Sequence, residues 1–412
     1  MGTSSKLMLL AVLVWSTAGW CGSTAREVNA AEEAPTAAVA VADNDFGFRL
    51  LRALNANGTA TNLIVSPLSV SQALTMTYNG ARGSTKTAMA RTLGIGAIDV
   101  SQLNASNRQL LEALHKADPN ARLEIANALW LREGLAANPE FVALNKNYYG
   151  ADVRSLDFAG DPLRATEIIN AWVSRNTQGK IPSIVDRLET DTALVLTDAV
   201  YFKGGWREVF ESQESKPRAF FGPDGKSATT PMMEQDGFYS YLETNDFQGI
   251  RLPYGNGQFA MYVFLPRARG GLGQLLKSFD QSHWAEWMKK LASRSGTIVL
   301  PKFEVRYGEK LHAVLEAMGM GVAFNKEEAD FSGITPSHIY ISDVEHKTYV
   351  KVDEKGTEAA ASTAVVARLT SAIVGSGKPF RMIVDHPFAF AIAERETGAI
   401  LFVGTVVDPN RR

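Results

Sequence analysis

Among the residues of this chain that could do chemistry, His312 and Glu316 stand four apart and make half of a zinc-protease motif. The six histidines, at 115, 283, 312, 338, 346 and 386, include no pair with zinc-ligand spacing. No GxSxG elbow, phosphate-binding loop or GxGxxG is present, so nothing in the sequence advertises a catalytic nucleophile or a cofactor. The chemistry on offer is of another kind. In EKGTEAAASTAVVARLTS, residues 354–371, an Ala-rich run leads to Arg368 and Leu369, side chains that trypsin-like and chymotrypsin-like pockets seek. Read as a strand, its side chains alternate between two faces. One face carries Thr357, Ala359, Ala361, Thr363, Val365 and Ala367, all small and uncharged; the other carries Glu358, Ala360, Ser362, Ala364, Val366 and Arg368. Such a segment suits either a buried strand or an exposed loop, and a segment with two homes is a switch.

The rest of the chain must position that stretch. Its 412 residues, 45% hydrophobic and 21% charged, are those of a globular protein, and a net charge of −2 gives no reason to expect nucleic acid as a partner. An apolar run from Leu7 to about Ala18, followed by small residues at 23–25 and 28–30, predicts a cleaved secretory signal over 1–30 rather than an integral membrane span. The expected location is therefore extracellular, with a lipid anchor on Cys21 as the alternative. Cys21 is the single cysteine, so the mature chain has no disulfide. Residues 31–43 read as a flexible lead-in and 44–412 as one domain. Ser66-Pro67 opens a helix through Val70, Leu74 and Tyr78 that stops at Asn79-Gly80, and Asp161-Pro162 opens another through Ile169, Trp172 and Val173. A third stripe, Leu311, Val314, Leu315 and Met318, is expected to end at Gly319. Strand runs cover 194–202, 259–265 and 297–305, and Thr397-Gly398 joins 388–394 to 399–407 as a hairpin. Helices early and strands late predict an α+β fold with large antiparallel sheets.

With these segments in place, the chain resembles the serpins, a family of suicide protease inhibitors. The resemblance covers nearly all of residues 44–409, in order. It rests on NLIVSPLSVSQALTMTYNGARGST (62–85), INAWVSRNTQGKIPSIV (169–185), LTDAVYFKGGW (196–206), LPKFEV (300–305), LEAMGMGVAFNKEEADFSGI (315–334), VEHKTYVKVDEKGTEAAASTAV (344–365) and the C-terminal VDHPFAFAI and GAILFVGTVVDP. It implies a serpin fold of three β-sheets and about nine helices with an exposed reactive-centre loop. A target protease cleaves that loop as substrate, and the loop then inserts into the central sheet with the acylated enzyme attached. The implied partner is a serine protease, trypsin-like or chymotrypsin- or elastase-like, with cysteine proteases as a further class; the implied inhibitor is a monomer that needs no cofactor.

Residue by residue, the resemblance makes Gly356, Thr357, Glu358, Ala359, Ala360, Ala361, Ser362 and Thr363 the hinge that enters the sheet first. Its small side chains resemble inhibitory members; a non-inhibitory serpin serving as a binding or chaperone protein is the alternative. Glu354 and Lys302, with Trp206 nearby, match a pair at the top of the sheet. Ser66, Ser69 and His346 match the cluster through which the sheet parts. Asp198 departs from the family, which usually has Asn there; the change reads as a tolerated isostere, with an Asp198–His346 ion pair as the alternative. Counting fourteen residues on from Gly356, as the family pattern suggests, puts the cut between Thr370 and Ser371; counting back from Pro387 puts it near Gly375-Ser376. Arg368 and Leu369 are rivals on side-chain chemistry. Arg108, His115, Lys116 and Arg122 are too sparse for a glycosaminoglycan-binding face, while Asn57-Gly58-Thr59 and Asn104-Ala105-Ser106 are glycosylation sequons.

Overall fold

Ser66 has extended backbone and its hydroxyl accepts from the N–H of Ser69, so Pro67 can occupy the first turn, where no donor is needed. A computed structural model describes residues 23–56, 58, 61–358 and 378–411. Its helices are α1 (Ser23–Leu54), α2 (Pro67–Tyr78), α3 (Gly83–Leu93), α4 (Val100–Lys116), α5 (Pro139–Tyr149), α6 (Pro162–Asn176), α7 (Leu272–Lys277) and α8 (Gln281–Lys290). The early strands are β1 (Leu63–Val65), β2 (Arg122–Arg132), β3 (Asp152–Leu156), β4 (Leu194–Gly205), β5 (Lys216–Phe221), β6 (Ser227–Glu243), β7 (Phe247–Pro253) and β8 (Phe259–Pro266). The later ones are β9 (Ala292–Pro301), β10 (Phe303–Lys310), β11 (Ile341–Asp353), β12 (Gly356–Thr357), β13 (Phe380–Ile383), β14 (Phe388–Glu394) and β15 (Ile400–Val406).

The strands form a six-stranded sheet, β10-β11-β12-β4-β2-β3, in which β11 also pairs directly with β4. The others form a network in the order β1-β15-β14-β8-β7-β6-β9-β13, with β5 beside β6. Where the resemblance implies three sheets, two run together here because the long β6 is shared: its first half pairs with β5 and its end with β7, while β9 runs along it. Every residue of α2 is buried, and the helix packs between the two networks against β2, β4 and β15. On the other face of the six-stranded sheet, Trp172 of α6 meets Trp130 of β2 edge to face at 5.5 Å, over Val195, Ala199 and Tyr201 of β4.

Three sequence expectations are corrected. Residues 31–43 are not a flexible lead-in: they lie inside α1, and Val39, Ala40 and Ala42 are buried. An Ala-rich composition reads as a linker, yet Ala is also the best helix former, so the packed chain starts upstream of residue 44. The run 297–305 is two strands, broken at Lys302, where the chain passes from β9 in one sheet to β10 in the other. Gly319 does not end its helix; at φ +108 it interrupts one, and helical structure resumes over Gly321–Phe324. Asn104 of the second sequon is buried, with its carboxamide bonded to Asn79 and to the Tyr149 hydroxyl.

Candidate functional site

The site is a gap between two strands. β4 and β11 pair in parallel from Leu194 and Ile341 up to Tyr201 and Tyr349, and above that level they separate. The start of the hinge fills the opening. In β12, Gly356 lies opposite Gly205 of β4 and Asp353 of β11, while Thr357 lies opposite Gly204 and Val352, antiparallel to both. Only glycine serves at 356: φ is +142, and a Cβ would stand 2.2 Å from the carbonyl oxygen of Gly204. Thr357 points inward, fully buried, with its hydroxyl 2.5 Å from that of Tyr254. Burial raises the Tyr254 phenol pKa far above its usual range. Glu358 donates its N–H to Lys351 at 3.0 Å and turns its side chain to the opposite face, where it pairs with Lys180. Thr357 and Glu358 thus face opposite ways, although Glu358, with φ +48, has already left the strand path. Ala359, Ala360, Ala361, Ser362 and Thr363, like Arg368, Leu369, Thr370 and Ser371, lie outside the described residues.

Above the gap, Lys302 and Glu354 form the expected pair at 2.6 Å. Glu354 is buried rather than exposed, and it also accepts from Ser215 Oγ at 2.7 Å. Burial works against ionisation, but the Lys302 and Ser215 bonds prevail and hold the carboxyl below its ordinary range. Trp206 stacks on Tyr254 at 4.4 Å and donates from its indole to Asp353 O at 2.9 Å. The backbone N–H groups of Trp206 and Phe210 bond to the carbonyls of Lys355 and Glu354. Lys302 adjoins β10 and Glu354 follows β11; Trp206 and Phe210 tie the 353–355 turn to the segment after β4, and Ser215 ties it to the start of β5. Sequence reasoning missed Tyr254, Ser215 and Lys180. No local pattern marks them, because each is brought to the gap by a turn remote in the chain.

Lower down, Ser66, Ser69, Asp198 and His346 do come together, fully or almost fully buried. Ser69 Oγ donates to Asp198, and Asn127 of β2 joins through a 3.2 Å contact with the same hydroxyl. His346 Nδ1 lies 3.0 Å from Asp198 Oδ2. Its Nε2 accepts the backbone N–H of Ser66 at 3.3 Å. Asp198 and His346 are thus paired, but by a hydrogen bond rather than the ion pair of the alternative reading: with Nε2 used as an acceptor, the ring donates from Nδ1 as a neutral imidazole. The cluster spans β4 and β11, His346 and Asp198 being register partners across the seam, and fastens both to the first turn of α2.

A family model, Serpin (serine protease inhibitor), matches residues 41–409. The chain belongs to the serpin family. A serpin-like protein of Thermococcus kodakarensis is 36% identical over 89% of this chain and 84% of its own. Iripin-2 of Ixodes ricinus is 34% identical over 89% of this chain and 92% of its own. Among solved structures, the thermophilic serpin tengpin in its native state matches with TM-score 0.80 at 29% identity, covering 90% of this chain and 94% of that one. Human thyroxine-binding globulin bound to thyroxine matches with TM-score 0.83 at 27% identity, covering 92% and 100%. The serpin fold is thus established, and its members are not uniform in function.

Proposed function

We propose that this serpin is a secreted inhibitor of serine proteases that acts as a suicide substrate. The observation that carries the reading is the hinge in the mouth of the gap, with two residues entered and Thr357 buried. Continuing the β12 register, each further residue moves one place down β4, so Ala367 arrives opposite Leu194, where β4 begins. The residues that would face the core are the small, uncharged ones, Ala359, Ala361, Thr363, Val365 and Ala367. A strand ending at this level leaves Arg368 and Leu369 to reach Thr370, which supports cleavage after Thr370. In that step the protease serine attacks the Thr370 carbonyl, the bond to Ser371 breaks, and the new amine leaves with the C-terminal fragment while the acyl-enzyme stays on Thr370. The apolar run at 7–18 supports export. The small-residue hinge argues against a purely binding or chaperone role.

The test is to mix the purified protein with trypsin, chymotrypsin and elastase in turn. A denaturing gel shows any covalent complex, and the mass of the released fragment names the bond. A complex with at least one enzyme is expected, with a large rise in the Tm of the cleaved protein. Thr363→Arg, which puts a charge on the inward face, should be cleaved without forming a complex. Cleavage with neither a complex nor a rise in Tm would sink the inhibitor reading.

A further inference from the structure

Glu358 sits where the hinge stops. Its φ of +48 is left-handed, a conformation unfavourable for a non-glycine residue, and it turns the chain away from a strand path. Its carboxylate is mostly buried: one oxygen pairs with Lys180, and the other, Oε2, is buried with no hydrogen-bond partner. Lys180 is presented by a firm turn after α6. Gln178 and Gly179 both have positive φ, the Lys180 N–H bonds to Thr177 O at 3.0 Å, and buried Thr177 accepts from the N–H of Ile181 at 3.2 Å. Arg306 of β10 fixes the same turn by donating to Lys180 O at 3.0 Å. The Lys180–Glu358 pair lies over Tyr201 and Tyr349, the uppermost parallel pair of the seam, and Lys180 Nζ is 5.9 Å from the Tyr349 ring centroid. Burial, and next the charge of Glu358, push the phenols of Tyr201 and Tyr349 up to about 12, which marks how closely the carboxylate faces them.

By extension of the β12 register, Ala359 would enter between Phe202 and Val350, and that tyrosine pair must part for Ala360 to follow. On a regular strand path Glu358 would instead lie between Lys203 of β4 and Lys351 of β11, by extension of the β12 register on each side. Glu358 already stands at that level, with its N–H on Lys351 O, so the Lys180 contact belongs to its left-handed conformation, and a strand conformation there would aim the carboxylate anew between two other lysines. We propose that Lys180 is a positioning residue for loop insertion: its bond to Glu358 arrests the hinge after two residues and holds it there until the loop is cut. This inference rests on the inhibitor reading.

The experiment holds the intact full-length protein, parent, Lys180→Met and Lys180→Arg, at a temperature below unfolding. It follows conversion to an uncleaved, heat-resistant form, and hydrogen exchange at the Glu358 amide. Lys180→Met should convert about fivefold faster, the factor that ~1 kcal/mol on a barrier supplies. It should also lose protection at Glu358 while the amides of α2 keep theirs, which separates release of the hinge from general loosening. Lys180→Arg should behave as the parent. Conversion of Lys180→Met at the parent rate would overturn the inference, as would a Lys180→Arg as fast as Lys180→Met. If cleaved parent protein gains no heat resistance, the inhibitor reading itself falls; if it gains it and the Lys180→Met rate is unmoved, only the arrest by Lys180 does.

Discussion

Asp198 accepts from the Ser69 hydroxyl and from His346 Nδ1 in a place with no access to solvent; Ser69 also has Asn127 within reach, so it is the His346 N–H that depends on Asp198. Asp198→Ala would leave the imidazole N–H buried without an acceptor, a cost of about 1–3 kcal/mol. Asp198→Asn keeps one acceptor oxygen and should cost less than half as much. The urea midpoints of the intact proteins check this, and an alanine variant as stable as the parent would show that the cluster repairs itself. These residues were legible in the sequence only through the family resemblance. Asn127, 58 positions from Ser69, was not, because nothing local to β2 says which polar side chain meets the first turn of α2. Lys180 was missed for a related reason: alternation tells which face Glu358 uses, and not what waits there.

At the level of elements, caps and turns were read well because their causes are local. Ser66, Asp161 and Gly398 each act within a few residues of themselves. Pairing between distant strands leaves no such mark, so the break at Lys302 and the sharing of β6 came only from the structure. The two-residue β12 shows how fine the margin is. Gly356→Ala would drive a Cβ into Gly204 O at 2.2 Å and Gly205 Cα at 2.7 Å, both backbone atoms that cannot swing aside. The hinge should therefore leave the gap. Exchange at the Thr357 amide should rise at least tenfold, the effect of ~1.4 kcal/mol on an opening equilibrium. Unchanged protection would mean that β4 yields instead.

Across the whole molecule, buried carboxyls burden the intact form. Burial, offset in part by the Ser71 hydroxyl, lifts Asp43 from 3.8 to about 7, and its Oδ2 has no hydrogen-bond partner. Burial and the neighbouring Asp343, opposed by Lys310, lift Glu345 to about 7 as well. Between about pH 4 and 7 the folded protein thus holds protons that the unfolded chain releases, and these groups make stability fall as pH rises through that window, then level off. Asp43→Asn should make the decline shallower, by up to ~1.4 kcal/mol per pH unit, without abolishing it, since Glu345 remains. Urea midpoints at pH 4.5 and 7.5 check it; equal declines in both proteins would place the burden elsewhere. Nothing in the sequence distinguished Asp43, which lay in a stretch read as a tether rather than as a packed helix. The seam between β4 and β11 has one more consequence. It is a parallel ladder, and a loop strand entering it would leave two antiparallel ladders in its place. The amide I infrared band distinguishes those two geometries, so the reaction would carry its own spectroscopic clock, readable with no label and no protease-specific reagent.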